Sequence, residues 1–152
     1  MSELTTIEIT KKILAALEGN SVLKEYVKSF TIGGIGTSRK LFPYIAVEAP
    51  SRETSVLTLG PNGYMNNIYT FRIFGGTHHT LPEIAYAGND KGKKGILQLN
   101  SDILNAVIPN NFDDTFTSPA RLQRATIYHD QGEGGRSWTT IIALRGKIKT
   151  KK

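Results

Sequence analysis

Asn67-Ile68-Tyr69-Thr70-Phe71-Arg72-Ile73-Phe74, with Phe42-Pro43-Tyr44-Ile45-Ala46-Val47-Glu48 upstream of it, decides the fold. Both stretches are rich in aromatic and β-branched residues, which suit a pleated surface. In the first, Tyr69, Phe71 and Ile73 alternate with Ile68, Thr70 and Arg72, so the two sets stand on opposite faces of a strand. In the second, Pro43 has no backbone donor and belongs at the first position or at a sheet edge. Short segments at Val56–Leu59 and Tyr64 pair with the long strand across Pro61-Asn62-Gly63, a turn sequence. Gly75-Gly76 then reads as the end of this sheet region.

Outward from these strands the pattern is helical. Thr5 and Glu8 stand at capping-box spacing, and Ile9, Ile13, Ala16 and Leu17 form one apolar face. Gly19 and Asn20, which tolerate the left-handed conformation, read as the stop. A shorter helix follows from Ser21 to about Lys28. Downstream, a loop runs to Gly92, and a helix from about Lys93 to Val107 buries Ile96, Leu99, Ile103 and Val107, widened by Leu104. Pro109 and Asn110-Asn111 end it. Beyond a polar loop through Pro119, Gln123–His129 and Ser137–Lys149 read as strands joined by a hairpin loop at Gln131–Gly135. The order helix–strands–helix–strands predicts an α+β fold, a mostly antiparallel sheet packed against two main helices in a single compact domain over residues 1–152. Residues 146–152 read as a flexible basic tail.

With 152 residues and no cysteine, the chain is long enough to bury roughly 68–70% of its unfolded surface without staples. Disulfides, thiolate catalysis and cysteine-ligated zinc are excluded. Apolar runs such as Ile13–Leu17 are too short to span a bilayer. The opening Met1-Ser2-Glu3-Leu4 lacks the basic, then apolar, pattern of a signal peptide, so a soluble, unexported protein is expected. The formal charge of +6 is uneven. Lys91, Lys93 and Lys94 form one cluster, and Lys147, Lys149, Lys151 and Lys152 another. Such clusters serve as solvated surface, or as contacts to nucleic acid or an acidic protein.

No catalytic set emerges. Gly33-Gly34-Ile35-Gly36-Thr37-Ser38 leads into a strand, whereas a dinucleotide loop opens a helix. Gly88-Asn89-Asp90-Lys91-Gly92-Lys93-Lys94 is one residue short of a P-loop and has Lys94 where a Ser or Thr would hold magnesium. A mobile basic loop capping the next helix is the better reading. Lysines there oppose the helix dipole, so their reason lies outside local stability. Adjacent His78 and His79 point apart in an extended loop, which suits one metal poorly. Glu83 and Asp113-Asp114 would complete a site with them or with His129 only by chance of folding. Asp113-Asp114 instead reads as a loop anchored by Phe112 and Phe116, and Trp138 as half-buried packing. Only Arg72 lies among the aromatics Tyr69, Phe71 and Phe74, which are not interleaved with basic residues as a stacking platform requires. No enzyme activity, metal or cofactor is therefore expected.

Taken together, Ile13–Leu17 (Ile-Leu-Ala-Ala-Leu), Leu23–Lys28, Phe42–Glu48, Ile68–Phe74, Ile96–Val107 and the paired terminal strands resemble phage tail-terminator (tail-completion, minor tail) proteins. The glycine loop at Gly33–Gly36 and the C-terminal lysines have no counterpart in that pattern. The resemblance implies a virion protein, in the host cytoplasm during assembly, whose homohexameric ring caps the tail tube, ends tail polymerisation and presents the surface that joins the head connector. Its partners would be itself, the tail tube protein and head–tail connector proteins. DNA passing through the ring would meet Lys91, Lys93, Lys94, Lys147 and Lys149. Long loops at residues 50–66, 76–92 and 109–120 would order on contact with the tube or a neighbouring subunit. Another neck or head–tail joining subunit fits the same body. The charge offers a different alternative, a small basic nucleic-acid-binding module.

Overall fold

The computed structural model describes residues 6–33, 41–56, 64–108, 110, 112, 116, 120–130 and 136–151, with side chains throughout except at 52–56, 64–67, 130 and 148–151. Among the described residues, four helices and six strands follow one another as α1 (Thr6–Glu18), α2 (Ser21–Tyr26), β1 (Ser29–Ile32), β2 (Tyr44–Val47), β3 (Ser51–Val56), β4 (Tyr64–His78), α3 (Pro82–Ala87), α4 (Ile96–Val107), β5 (Arg121–Asp130) and β6 (Ser137–Lys151). The strands make one mixed sheet in the order β1-β2-β4-β6-β5, with β3 also on β4. Only β1 and β2 run parallel; the other pairs are antiparallel, as the sequence predicts. The α+β expectation holds, with one domain around one sheet.

β4 and β6 form the spine, paired without a break from Tyr64 opposite Lys151 to His78 opposite Ser137. β2 and β3 share the other edge of β4. Val47 faces Ile73 and Ser51 faces Thr70, so Glu48, Ala49 and Pro50 oppose only Phe71 and Arg72. That one-residue excess is a bulge, and Pro50, with no donor to offer, sits where the ladder is interrupted. Glu48 N–H still donates to Arg72 O at 3.0 Å.

One face of the sheet carries the core. Ile9, Ile13 and Leu17 of α1 and Ile96, Leu99, Ile103 and Val107 of α4, all fully buried, meet Ile45, Val47, Tyr69, Phe71, Ile73, Ile142 and Leu144. Burial of each such aliphatic side chain contributes about 1.5–3 kcal/mol. Phe112 and Phe116 close the same core against Phe71, with ring centroids 5.9 Å from it. They anchor their loop as expected, although Asp113-Asp114 lies outside the described residues. The opposite face holds a small cluster of Tyr44, Ala46 and Phe74, with the Arg72 guanidinium 5.5 Å from the centroid of the Phe74 ring.

Several boundaries differ from the sequence reading. Gly75-Gly76 does not end the sheet, since β4 continues to His78. These glycines make room. A Cβ on Gly75 would lie 3.0 Å from Leu99 and Ile103 of α4, and one on Gly76 would overlap the Tyr44 ring. Residues 146–151 are strand and not tail, because the first half of β4 needs a partner and pairs with them. The supposed loops 50–66 and 76–92 contain β3, both ends of β4, and α3. Helix α4 begins at Ile96, after its cap Gly95. Between α1 and α2 the stop uses no left-handed residue. Positive φ among the described residues falls on Gly33, Gly88, Gly92 and Phe112, and Asn20 instead caps α2, accepting from Val22 N and Leu23 N at 3.1 Å. The capping residue expected for α1, Thr5, lies outside the described residues, as do Gly34–Lys40 and the Gln131–Gly135 hairpin loop.

Candidate functional site: a cationic cleft

Four separate segments converge beside the end of β4. Lys28 N–H donates to Pro43 O at 2.8 Å, pinning the end of α2 to the start of β2. Thr77 Oγ1, buried, donates to Ala85 O at 2.5 Å, tying β4 to α3. Between these two joints lies a cleft of about 290 Å³. One wall is Glu25, Tyr26 and Lys28, and the other is Ile84 and Ala85 with Gly92, Lys93 and Lys94. Phe42, Pro43, Thr77, His78 and His79 complete it. The Phe42 ring sits 5.4 Å from Tyr44 and 5.3 Å from His78.

The lysine loop, expected to be mobile, carries its own hydrogen bonds. Asn89 Oδ1 accepts from Lys91 N at 3.0 Å and Lys93 N at 3.1 Å, and Asn89 N–H donates to Lys93 O at 3.1 Å. Gly88 and Gly92 turn the chain at φ 78° and 90°, a region in which a side chain is strained. A Cβ on Gly95 would collide with the Tyr86 carbonyl. This turn brings Lys93 and Lys94 to the cleft while Lys91 stays outside its lining.

The electrostatics are one-sided. Lys28, Lys93 and Lys94 line the cleft with Glu25 as the one carboxylate among its lining residues. Among the described residues no ion pair engages the three ammonium groups. His79 Nδ1 accepts from Leu81 N at 3.0 Å, which leaves Nε2–H of the neutral ring as a donor. His78 shares a 2.8 Å hydrogen bond with Ser137 Oγ. The two histidines, expected to point apart, both line the cleft. Among the described residues no three His, Asp or Glu groups could hold a metal ion.

Behind the α2 wall, Tyr26 OH donates to Asp102 Oδ2 at 2.6 Å and Gln98 Nε2 donates to Oδ1 at 2.8 Å. Burial, then the hydrogen bond to Asp102 and its negative charge, push the Tyr26 phenol far above its ordinary range. The phenol stays protonated and acts as a fixed donor.

The other sequence candidates fall elsewhere. Lys147 and Lys149 lie toward the far end of β6. Ser137 faces His78 beside the cleft, and the ten residues from Ser137 to Lys147 span roughly 34 Å. The two basic clusters are thus not one surface. His129 stacks on Trp138 at 4.3 Å, and Tyr86 meets the same indole edge-on at 4.5 Å. Trp138 is half-buried packing, as expected, and Tyr69 and Phe71 are core. Sequence reasoning missed Lys28, Phe42 and α3 as parts of a site. The α3 signal was present, with Pro82 at the start, Glu83 in the first turn and Gly88 as the cap. Nothing in the sequence joins Lys28 to Lys93.

No helix among the described residues is long and apolar enough to cross a membrane. No family profile and no curated protein matches the sequence. In fold the chain is similar to a chain of the virion of a native gene transfer agent particle, with 10% identity, a TM-score of 0.59, and coverage of 93% of this chain and 94% of that one.

Proposed function

We propose that this protein is a structural component of a phage-like virion, and within that class a tail terminator. The observation that carries the reading is the similarity in fold over 93% of this chain to a gene transfer agent virion chain, which agrees with the sequence resemblance to tail-terminator proteins. In this reading the protein forms a ring, a homohexamer, that caps the tail tube, halts its growth and offers a surface to the head connector. No chemistry is assigned to it.

The architecture supports the ring physically. A cyclic ring needs two different complementary faces on each subunit. Among the described strands, β1 and β3 are outermost on one side and β5 on the other, and edge strands present backbone donors and acceptors that pair with another chain. Leu122 and Tyr128 on β5 are 42% and 47% exposed, so that edge offers apolar contact as well.

Light scattering behind size exclusion, followed by electron microscopy with purified tail tubes, tests the reading. A closed ring seated on tube ends is the expected result. Particles that bind connector rings but ignore tube ends would move the protein to the neck. A monomer that ignores both would overturn the assembly reading. Monomeric protein whose affinity for DNA falls steeply with salt would instead identify a nucleic-acid-binding module.

A further inference from the structure

We infer that the cleft beside the end of β4 is a docking site for a short acidic–apolar peptide segment of a partner protein, with Lys93 and Lys94 taking its carboxylates and the Phe42 side taking its apolar residue. Three observations lead there.

The charge is placed against local stability. Lys93 and Lys94 directly precede Gly95, the cap of α4, which makes no side-chain cap hydrogen bond. Cations at a helix N-terminus oppose the helix dipole. The chain nonetheless holds this loop in shape with two left-handed glycines and the Asn89 turn. From across the cleft Lys28 adds a third ammonium group, and among the described residues none of the three has an ion-pair partner.

The apolar part centres on Phe42, which shares the cleft lining with these lysines. Phe42 is 37% exposed in spite of its contacts with Tyr44 and His78, and its neighbour Leu41 is 66% exposed. An aromatic ring left half open beside unpaired cations suits a ligand that is both apolar and anionic.

Shape selects peptide over nucleic acid. A concave site of about 290 Å³ admits one or two side chains, near the low end of ligand pockets. A duplex backbone, carrying one charge per ~1.7 Å of axis, instead requires an extended basic track. Among the described residues, Lys147 stands toward the other end of β6, away from the cleft. His79 Nε2–H adds a donor suited to a carboxylate oxygen.

This inference supplies the chemistry of one partner contact in the proposed assembly, but it concerns the isolated subunit and is tested without a ring. Fluorescence anisotropy would follow a labelled peptide of alternating Glu and Leu, with alternating Gln and Leu, alternating Glu and Ser, and a single-stranded oligonucleotide as comparison probes. The expected result is saturable binding of the Glu–Leu peptide, weakened about tenfold or more by Lys93→Glu/Lys94→Glu and by Phe42→Ser, and much less by Lys147→Glu. A tenfold loss corresponds to about 1.4 kcal/mol. The Gln–Leu and Glu–Ser peptides should each bind more weakly by a similar factor. Binding lost equally on Lys147→Glu would show a general charge effect and overturn the inference. An oligonucleotide displacing the peptide from the cleft, or no saturable peptide binding at all, would overturn it too. Thermal melts of each variant separate loss of the site from loss of the fold. A monomer that ignores tube ends and connector rings while peptide binding stays intact would reject the assembly reading alone.

Discussion

The phenol of Tyr26 and the carboxylate of Asp102 are joined by a 2.6 Å hydrogen bond that locks α2 to α4. Asp102 is only 7% exposed, and Gln98 holds its second oxygen. A buried carboxylate persists when its oxygens are satisfied. This lock also fixes the wall of the cleft to which Tyr26 and Lys28 belong.

Removing the acceptor is therefore worse than removing the donor. Asp102→Ala strands the phenol and the Gln98 amide and should destabilise the protein by about 2–4 kcal/mol, whereas Tyr26→Phe should cost about 1–2 kcal/mol. For a chain of this size each 1 kcal/mol moves Tm by roughly 2–4 °C, so calorimetry of the two variants resolves the order. Equal melting temperatures would show that the buried carboxylate does not depend on this bond.

The same pair sets an alkaline limit. The Tyr26 phenol titrates higher in the folded protein than when unfolded. Its contribution is fully present below the unfolded value near pH 10 and is lost as pH rises toward the folded one. Denaturant midpoints measured from pH 8 to 11 should fall more steeply for the wild type than for Tyr26→Phe. Parallel curves would remove Tyr26 from the alkaline response.

Two glycines are spacers whose replacement should be felt in the core. A Cβ at Gly146 would lie 2.5 Å from the Phe116 ring, and one at Gly76 would overlap Tyr44. Gly146→Ala and Gly76→Ala should each destabilise by about 1–3 kcal/mol through overpacking. Gly92→Ala tests a different term. Nothing surrounds its Cβ, so the cost there is the left-handed backbone at φ 90°, about 1–2 kcal/mol.

Trp138 reports on α3. Its indole is held between His129 and Tyr86. Tyr86→Ala should shift Trp138 emission to the red and cost about 1–3 kcal/mol, from lost apolar burial together with the lost ring pair. An unchanged spectrum would mean that α3 does not shield the indole.

The β5 edge can be tested by charge. Leu122→Lys/Tyr128→Lys alters exposed side chains on that strand and should change monomer stability by about 0.5 kcal/mol per site or less. If β5 forms the contact between subunits, the solution mass should drop from ring to monomer. An intact ring would place the subunit contact elsewhere.

What the sequence determined by itself is whatever is local and periodic. Ile9, Ile13 and Leu17 recur at helical spacing and Tyr69, Phe71 and Ile73 at strand spacing, and each set is buried as that spacing predicts. The buried stripe of α4 and the terminal hairpin were legible for the same reason. Glycine was ambiguous, because one residue type serves both as a stop and as a spacer. Gly75-Gly76 could be told apart only once Tyr44 and α4 were seen packed against them. The tail at 146–151 became strand because β4, far away in sequence, supplied its partner.

The cleft is the clearest product of tertiary structure. Lys28, Phe42, His79 and Lys93 come from four segments and share no spacing rule. They meet because Lys28 N–H bonds Pro43 O and Thr77 Oγ1 bonds Ala85 O. Side-chain periodicity is written in the order of residues, whereas a concave site depends on which segments the core draws together, and long-range packing decides that.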